Sequence, residues 1–181
     1  MRINLWAGPG AGKSSLASVI FSSLKKEGVV VELITEYIKK WAYEKKNTSS
    51  FDQLYVFAKQ LHSEDLILRS GVDHIISDSP ILMQTYYAKK YNFPCLNSLI
   101  DIAFEFEKKF NSLNIFLDRE GVEYQELGRY ENFDEAKEAD KQIFDFACSF
   151  LGKENVHVFK TVEHDKIIEF VKERIKCQAQ K

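Results

Sequence analysis

Apolar residues follow two different spacings along this chain. Continuous apolar runs, rich in β-branched residues, predict five strands over residues 3–6, 29–34, 74–78, 113–118 and 156–159. Between the runs, apolar residues recur every three or four positions and predict helices over about 13–27, 37–46, 51–69, 81–91, 96–110, 132–151 and 162–175. This alternation predicts an α/β fold with a five-stranded, mainly parallel sheet covered by helices on both faces.

Two of the helices have polar residues that predict where they begin. Ser50 with Gln53, and Asn132 with Glu135, have the capping-box pattern, in which each side chain bonds the other residue's backbone. Residues 47–50 are therefore predicted to be a loop that leads into a helix. That helix carries the apolar residues Phe51, Leu54, Phe57, Ala58 and Leu61.

The length and the charge of the chain limit the number of domains and the classes of protein to which it can belong. We predict a single domain over residues 1–181, because this length suits one core rather than two. The 25 basic and 27 acidic residues give a formal net charge of −2, which excludes a protein that coats DNA indiscriminately. Paired lysines such as Lys39-Lys40 and Lys45-Lys46 still allow a local basic groove.

The cysteines and the apolar segments favour a cytoplasmic protein. Cys95, Cys148 and Cys177 lie far apart without a CxxC spacing, which predicts neither a disulfide framework nor a zinc site. No segment has the roughly 18 apolar residues of a membrane helix, and the N-terminus lacks the apolar stretch of a signal peptide. We therefore expect a soluble protein without a membrane partner.

One segment carries a specific chemical signal. Residues 7–14 read Ala-Gly-Pro-Gly-Ala-Gly-Lys-Ser and fit the phosphate-loop pattern, with Ala7 in place of its first glycine. Glycines allow the backbone N–H groups to point at a phosphate, and the following helix adds its positive N-terminal end. The residues predicted to bind ATP are Gly8, Pro9, Gly10, Ala11, Gly12, Lys13, Ser14 and Ser15.

The loop also predicts a magnesium site. Lys13 is expected to bind the β- and γ-phosphates, while Ser14 binds Mg²⁺ through its hydroxyl and Asp78 completes the site from the end of the third strand. The chain has no Asn-Lys-x-Asp string, which switch-type GTPases need, and Asp78 lacks the adjacent glutamate of ATPase motors. Both observations favour a phosphotransferase.

Acidic and basic residues suited to phosphoryl transfer follow the predicted strands. Glu36 and Asp78 each follow a strand end at the edge of the sheet where the phosphate loop is expected, so either one is a candidate base for the acceptor hydroxyl. Arg119 and Arg129 bracket a polar, glycine-containing segment. We predict that this segment, about residues 119–132, is a lid that brings its arginines onto the phosphates.

Together these segments resemble small P-loop kinases. The resemblance rests on the phosphate loop and on Thr35-Glu36-Tyr37, Lys59-Gln60, Ser77-Asp78-Ser79-Pro80 and Gly128-Arg129. The chain is similar to nicotinamide-riboside-kinase-like and deoxynucleoside-kinase-like proteins that bacteriophages carry under the label AAA family ATPase. Some relatives of this kind phosphorylate 5-hydroxymethyluracil in phage DNA. The resemblance implies that Gln60 hydrogen-bonds the acceptor base and that a phage-encoded chain acts in the host cytoplasm.

These residues lead to one expected function and two alternatives. We expect a kinase that transfers the γ-phosphate of Mg·ATP to a nucleoside, a nucleotide or a related acceptor, with Tyr37 near the acceptor base. The first alternative is a DNA kinase for hydroxymethyluracil in phage DNA, bound through Lys39, Lys40, Lys45 and Lys46. The second is an ATPase or switch that hydrolyses the nucleotide without an acceptor. The acceptor, the preference for ATP or GTP and the oligomeric state stay open.

Overall fold

Strands and helices alternate along the residues that this computed structural model describes, which are 1–44, 46 and 51–179. The strands are β1 (Arg2–Trp6), β2 (Val31–Ile34), β3 (His74–Ser77), β4 (Ser112–Asp118) and β5 (Val156–Lys160). The helices are α1 (Lys13–Lys26), α2 (Lys39–Tyr43), α3 (Asp52–Arg69), α4 (Ile81–Lys90), α5 (Leu96–Lys109), α6 (Phe133–Leu151) and α7 (His164–Ala179). Within the described ranges, no helix has the length and apolar character needed to cross a membrane.

The five strands form one sheet in the order β2-β3-β1-β4-β5, and every neighbouring pair is parallel. Ile3 of the central strand β1 lies opposite Ile76 on one side and Leu113 on the other. The predicted five-stranded parallel sheet is confirmed. Because all strands run the same way, the residues that follow β1, β2 and β3 emerge at one edge of the sheet.

Helices cover both faces of the sheet, as predicted. On one face, Leu5 of β1 belongs to a buried cluster with Leu16 and Ile20 of α1 and Ile167 of α7. On the other face, the neighbouring residue Trp6 belongs to a cluster made with α3, α4, α5 and α6. Successive strand residues point to opposite faces, so residues adjacent in sequence contribute to separate halves of the core.

The boundaries of three elements differ by two or more residues from the sequence prediction, and α7, predicted over 162–175, spans His164–Ala179. Strand β2 begins at Val31 rather than residue 29, and α2 spans only Lys39–Tyr43, with no buried residue. A helix without a core face has little packing to extend it, which accounts for its shortness. The predicted loop at 47–50 and the Ser50 half of its capping box lie outside the described residues. The other capping box is confirmed, with Asn132 and Glu135 bonding each other's backbone.

The apolar residues noted in the sequence of α3 coincide only in part with its buried face. Phe51 and Leu54 are exposed, as is Ala58, while Phe57 is buried. The face that α3 buries consists of Gln53, Val56, Phe57, Gln60 and Glu64. This face is polar because it meets polar groups of the sheet. Glu64 pairs with Arg2 at 3.3 Å and accepts a hydrogen bond from Ser77 at 2.9 Å.

Candidate active site

The phosphate loop connects β1 to α1 at the centre of the sheet. Its backbone requires glycine at two positions, because Gly10 and Gly12 have φ angles of 72° and 85°, in the left-handed region. Six of the eight residues predicted to bind ATP line a common cavity, namely Pro9, Gly10, Gly12, Lys13, Ser14 and Ser15. The other two face neighbouring elements. The Gly8 amide donates to Asp140 at 2.6 Å, and the Ala11 carbonyl accepts from Thr161 at 3.0 Å.

The ammonium of Lys13 lies against its own loop. Its Nζ donates to the carbonyl oxygens of Ala7 and Gly8, each at 2.8 Å. Burial lowers the pKa of Lys13, while the nearby carboxylates of Glu36 and Asp78 act in the opposite direction. Both acids predicted from the sequence therefore lie within the electrostatic reach of the loop lysine.

Ser14 lines the cavity and forms a hydrogen-bonded pair with the buried Asp78 behind it. The Ser14 hydroxyl donates to Asp78 Oδ2 at 2.6 Å. Asp78 is 2% exposed, and its other oxygen, Oδ1, is buried without a hydrogen-bond partner in the described part of the chain. A carboxylate oxygen without a hydrogen-bond partner, beside a hydroxyl, is a set of ligands that suits Mg²⁺. This ion takes one or two protein oxygens and completes its coordination shell with phosphate and water. The pair therefore fits the magnesium ion that P-loop kinases use.

Glu36 lies beside this pair, in the segment between β2 and α2. The Ser79 hydroxyl lies 3.4 Å from Glu36 Oε1, and Ser79 in turn accepts a hydrogen bond from Gln84 at 2.6 Å. Burial raises the pKa of Glu36, and the cations of Lys13, Arg129 and Lys39 oppose that shift. The carboxyl thus faces the cavity with its pKa above that of an exposed glutamate.

The cavity has a volume of about 240 Å³, and its lining residues are of two chemical kinds. One part of the lining consists of the phosphate loop, Lys39 and Glu36. The other part consists of aromatic and amide side chains, namely Tyr43, Gln53, Gln84, Tyr87, Tyr91, Gln125 and Tyr130. Rings and amides are the groups that stack on a planar ring and hydrogen-bond its edges.

The 119–132 segment lies over the cavity. A Cβ on Gly10 would lie 2.5 Å from the ring of Tyr124, so this ring packs directly on the phosphate loop. Farther along, Gly128 packs against the ring of Tyr43 in α2, again at 2.5 Å from the position of a Cβ. Arg129 lines the cavity, and its Nε is buried without a hydrogen-bond partner among the described residues. Arg129 therefore lies on the cavity side of this segment, and its contact with the phosphates stays a prediction.

Arg119 has a different place from the one predicted. Its guanidinium pairs with Asp140 of α6 and donates to the carbonyls of Pro9 and Ala136, each at 3.1 Å. It does not line the cavity in the described structure, so the expectation that it covers the phosphates from the lid does not describe this geometry. Asp140 joins Arg119 to the Gly8 amide, and sequence reasoning missed it because it lies 132 residues from Gly8.

Gln60 and Tyr37 also lie away from the described lining of the cavity. Gln60 is fully buried and donates to Glu64 Oε1 at 3.2 Å and to Ser77 at 3.4 Å. Tyr37 donates to the hydroxyl of Tyr55 at 3.0 Å and packs against Trp41. Gln53 reaches the cavity instead. It lies two helical turns before Gln60 on the same face of α3, and this spacing was the available sequence signal.

The lysines predicted to meet DNA have separate environments. Lys39 lines the cavity, Lys40 is exposed, and Lys46 pairs with Glu44 at 2.5 Å. Lys45 lies outside the described residues. Lys39 thus contributes to the interior of the candidate site, which its place in a lysine pair did not indicate.

Comparisons with known proteins agree on the fold. Deoxyadenosine kinase from M. mycoides is similar in two structures that each cover all of that chain. The structure with bound dATP has a TM-score of 0.56 at 19% identity over 97% of this chain. The one with products dCMP and a flexible dCDP has a TM-score of 0.54 at 16% identity over 98%. The crystal structure of APE1195 has a TM-score of 0.53 at 16% identity, covering 98% of this chain and 95% of that one.

These similarities identify the architecture as the P-loop NTPase fold. A search of curated proteins finds no match. A comparison with protein-family models matches residues 2–163 to the AAA domain. Because that match spans most of the 181 residues, the chain belongs to the AAA domain family.

Proposed function

We propose that this protein is a kinase that transfers the γ-phosphate of Mg·ATP to a hydroxyl of a nucleoside, a nucleotide or a related acceptor. One observation carries the proposal. A single cavity is lined in one part by the phosphate loop and Glu36, and in the other by amides and tyrosines. A hydrolase needs only the first part, whereas a kinase needs both. The fold similarity to deoxyadenosine kinase, whose structures hold dATP and dCMP, supports this assignment.

The donor end is built from the phosphate loop. Lys13 would exchange its two backbone carbonyl partners for oxygens of the β- and γ-phosphates, and the loop amides would bind the remaining oxygens. Ser14 and Asp78 are the residues that would hold Mg²⁺, which neutralises phosphate charge when bound. Arg129 would add a second cation, because it lines the cavity and its buried Nε has no hydrogen-bond partner among the described residues.

Glu36 rather than Asp78 is the proposed base. Asp78 Oδ2 is already engaged by the Ser14 hydroxyl, whereas Glu36 faces the acceptor side with a raised pKa, which suits proton transfer near neutral pH. In the proposed step the acceptor oxygen forms a bond to the γ-phosphorus and its proton passes to Glu36. The bond from that phosphorus to the bridging oxygen breaks, and ADP leaves with the electron pair.

The amides and rings of the cavity lining favour an acceptor that carries a planar ring. Gln53 is 2% exposed, and its Nε2 has no hydrogen-bond partner among the described residues. A buried amide donor without a partner costs about 1–3 kcal/mol, and a base carbonyl would satisfy it. We therefore propose Gln53, in place of Gln60, as the amide that contacts the acceptor base.

A single-turnover transfer experiment tests the proposal. Labelled ATP is mixed with a panel of free nucleosides, nucleotides, nicotinamide riboside, and DNA with and without hydroxymethyluracil. We expect label in a free acceptor, and we expect Lys13→Ala to abolish transfer, while Lys26→Ala, an exposed lysine at the end of the same helix, retains it.

Each other outcome contradicts the proposal in a distinct way. Full activity in Lys13→Ala would remove the phosphate loop from the mechanism. Label that enters only hydroxymethyluracil-containing DNA would identify the DNA kinase alternative. Release of labelled phosphate at an ordinary rate without any acceptor would identify a hydrolase.

A further inference from the structure

Lys39 is a cation of the cavity that does not belong to the phosphate loop. It opens α2, lines the cavity and is partly buried, whereas the next residue, Lys40, is exposed. Its Nζ lies 3.5 Å from the Ser14 hydroxyl. Among the ion pairs of the described residues, none includes Lys39. A partly buried ammonium without a carboxylate partner is available to a ligand anion.

Lys39 lies near residues of both the proposed phosphate-donor site and the proposed acceptor site. Its contact with Ser14 places it beside the residues that suit the metal and the terminal phosphate. Its charge also acts on Glu36, the proposed base at the acceptor end. Lys13 differs, because its ammonium is held by the carbonyls of Ala7 and Gly8 within the loop. Lys39 thus lies near a group of the proposed donor site, Ser14, and near the proposed base, Glu36.

We propose that Lys39 is a catalytic residue whose ammonium binds the oxygens of the phosphoryl group during its transfer. This inference rests on the proposed kinase function. The transferred group carries its charge on three equatorial oxygens, and a cation already placed beside them stabilises the transition state without reorganisation. Lysine suits this task because it is a compact charge with three donors on a flexible stem.

The variants Lys39→Ala, Lys39→Met and Lys39→Arg test the role, with Lys40→Ala as the matched control. Lys39→Met retains the aliphatic stem and its packing, so it remains informative if the alanine variant unfolds. We expect kcat to fall about 10²–10³-fold in the alanine and methionine variants. The KM values for ATP and acceptor should stay within a few-fold of the unmodified chain, Lys39→Arg should recover part of the rate, and Lys40→Ala should retain full activity.

A binding measurement gives a second readout that does not depend on turnover. ADP with aluminium fluoride mimics the transferring phosphoryl group, and analogues of this kind bind more tightly than ground-state ligands. We expect Lys39→Met to weaken binding of ADP with aluminium fluoride and acceptor about as much as it lowers kcat. Binding of ADP alone should not change, which separates this role from general support of the site.

Three results would overturn the inference. A raised KM for the acceptor at unchanged kcat would assign Lys39 to acceptor binding. If the variants instead needed less Mg²⁺ for half-maximal activity at unchanged kcat, Lys39 would be a cation that competes with the metal for its site. Equal kcat in all variants would remove Lys39 from the reaction while leaving the kinase function intact. Failure of the unmodified chain to label any acceptor would instead overturn the proposed function, and this role with it.

Discussion

At the scale of single residues, the chemistry of the site depends on how burial changes the pKa of Glu36. The carboxyl lies beside three cations, yet burial is the largest effect on its pKa and raises it. A base must be ionised to accept a proton. Activity should therefore fall as the pH falls through the pKa of Glu36, and the fall should begin at a higher pH than an exposed glutamate would give.

We predict that Glu36→Gln lowers the rate of transfer by about 10²–10⁴-fold, because it removes the base while keeping the size of the side chain. Mg·ATP binding should persist, since the phosphate loop and Asp78 are unchanged. The pH profile of kcat/KM should lose its acidic limb in the variant. Glu173→Gln, an exposed position on α7, serves as the control. An unchanged rate in Glu36→Gln would leave Asp78 as the base.

The two glutamines of α3 should differ in what they support. Gln60→Ala removes a hydrogen bond to the buried Glu64 carboxylate, so we predict a loss of about 1.5–3 kcal/mol in the free energy of unfolding. Gln53→Ala should instead raise the acceptor KM with little change in stability, because the Nε2 that it removes has no hydrogen-bond partner among the described residues. Urea denaturation and steady-state kinetics of both variants measure the two effects. The opposite pattern would restore the base-binding role to Gln60.

At the scale of elements, hydrogen bonds connect α6 to the phosphate loop. Asp140 accepts hydrogen bonds from the Gly8 amide and from Arg119, and Arg119 bonds the Pro9 carbonyl. The pair is largely buried, with 10% and 16% of the two side chains exposed. The loop therefore receives its shape from a helix that lies beyond the 119–132 segment, as well as from its own glycines.

We predict a coupling energy of about 1–3 kcal/mol between Arg119 and Asp140, from a double-mutant cycle to alanine followed by urea denaturation. Both single variants should also weaken ATP binding, because the loop loses an anchor. The ion pair of Glu120 with Lys160 provides the control. It leaves 65% and 49% of the side chains exposed, so its coupling should stay below about 1 kcal/mol. Equal couplings in the two cycles would contradict the anchoring role.

At the scale of the whole molecule, the parallel sheet brings the residues of the candidate site to one edge. The phosphate loop, Glu36 and Asp78 follow β1, β2 and β3, which are neighbours in the sheet, and so they emerge at one edge. The 119–132 segment follows β4 on the other side of β1 and returns over the cavity. A ligand in this cavity would therefore contact segments from most of the fold.

We predict that Mg·ATP stabilises the folded chain. At about 100 times its Kd, a ligand that binds only the folded state adds about 2.7 kcal/mol. For a chain of this size that corresponds to a Tm increase of about 5–11 °C. Thermal unfolding should show the increase in the unmodified chain and in Lys26→Ala and lose it in Lys13→Ala. An equal increase in Lys13→Ala would show that ATP binds elsewhere.

Local patterns in the sequence predicted much of the architecture and part of the site. The alternation of strand and helix patterns predicted the parallel five-stranded sheet, and the Asn132 capping box marked the start of α6. The phosphate loop and the strand-end positions of Glu36 and Asp78 predicted residues that line or adjoin one cavity. These features depend on spacing within a few residues, or on the rule that parallel strands end at one edge.

The sequence by itself determined the fold class, the phosphate loop and the acids that accompany it, because each is encoded by local spacing. Tertiary structure decided which distant side chains complete the site. It placed Arg119 behind the loop with Asp140, turned Gln60 toward Glu64, and brought Gln53 and Lys39 into the cavity. The physical reason is that buried polar groups take whatever partners the packing brings within hydrogen-bond distance, and a partner such as Asp140 lies 132 residues from Gly8 in the chain.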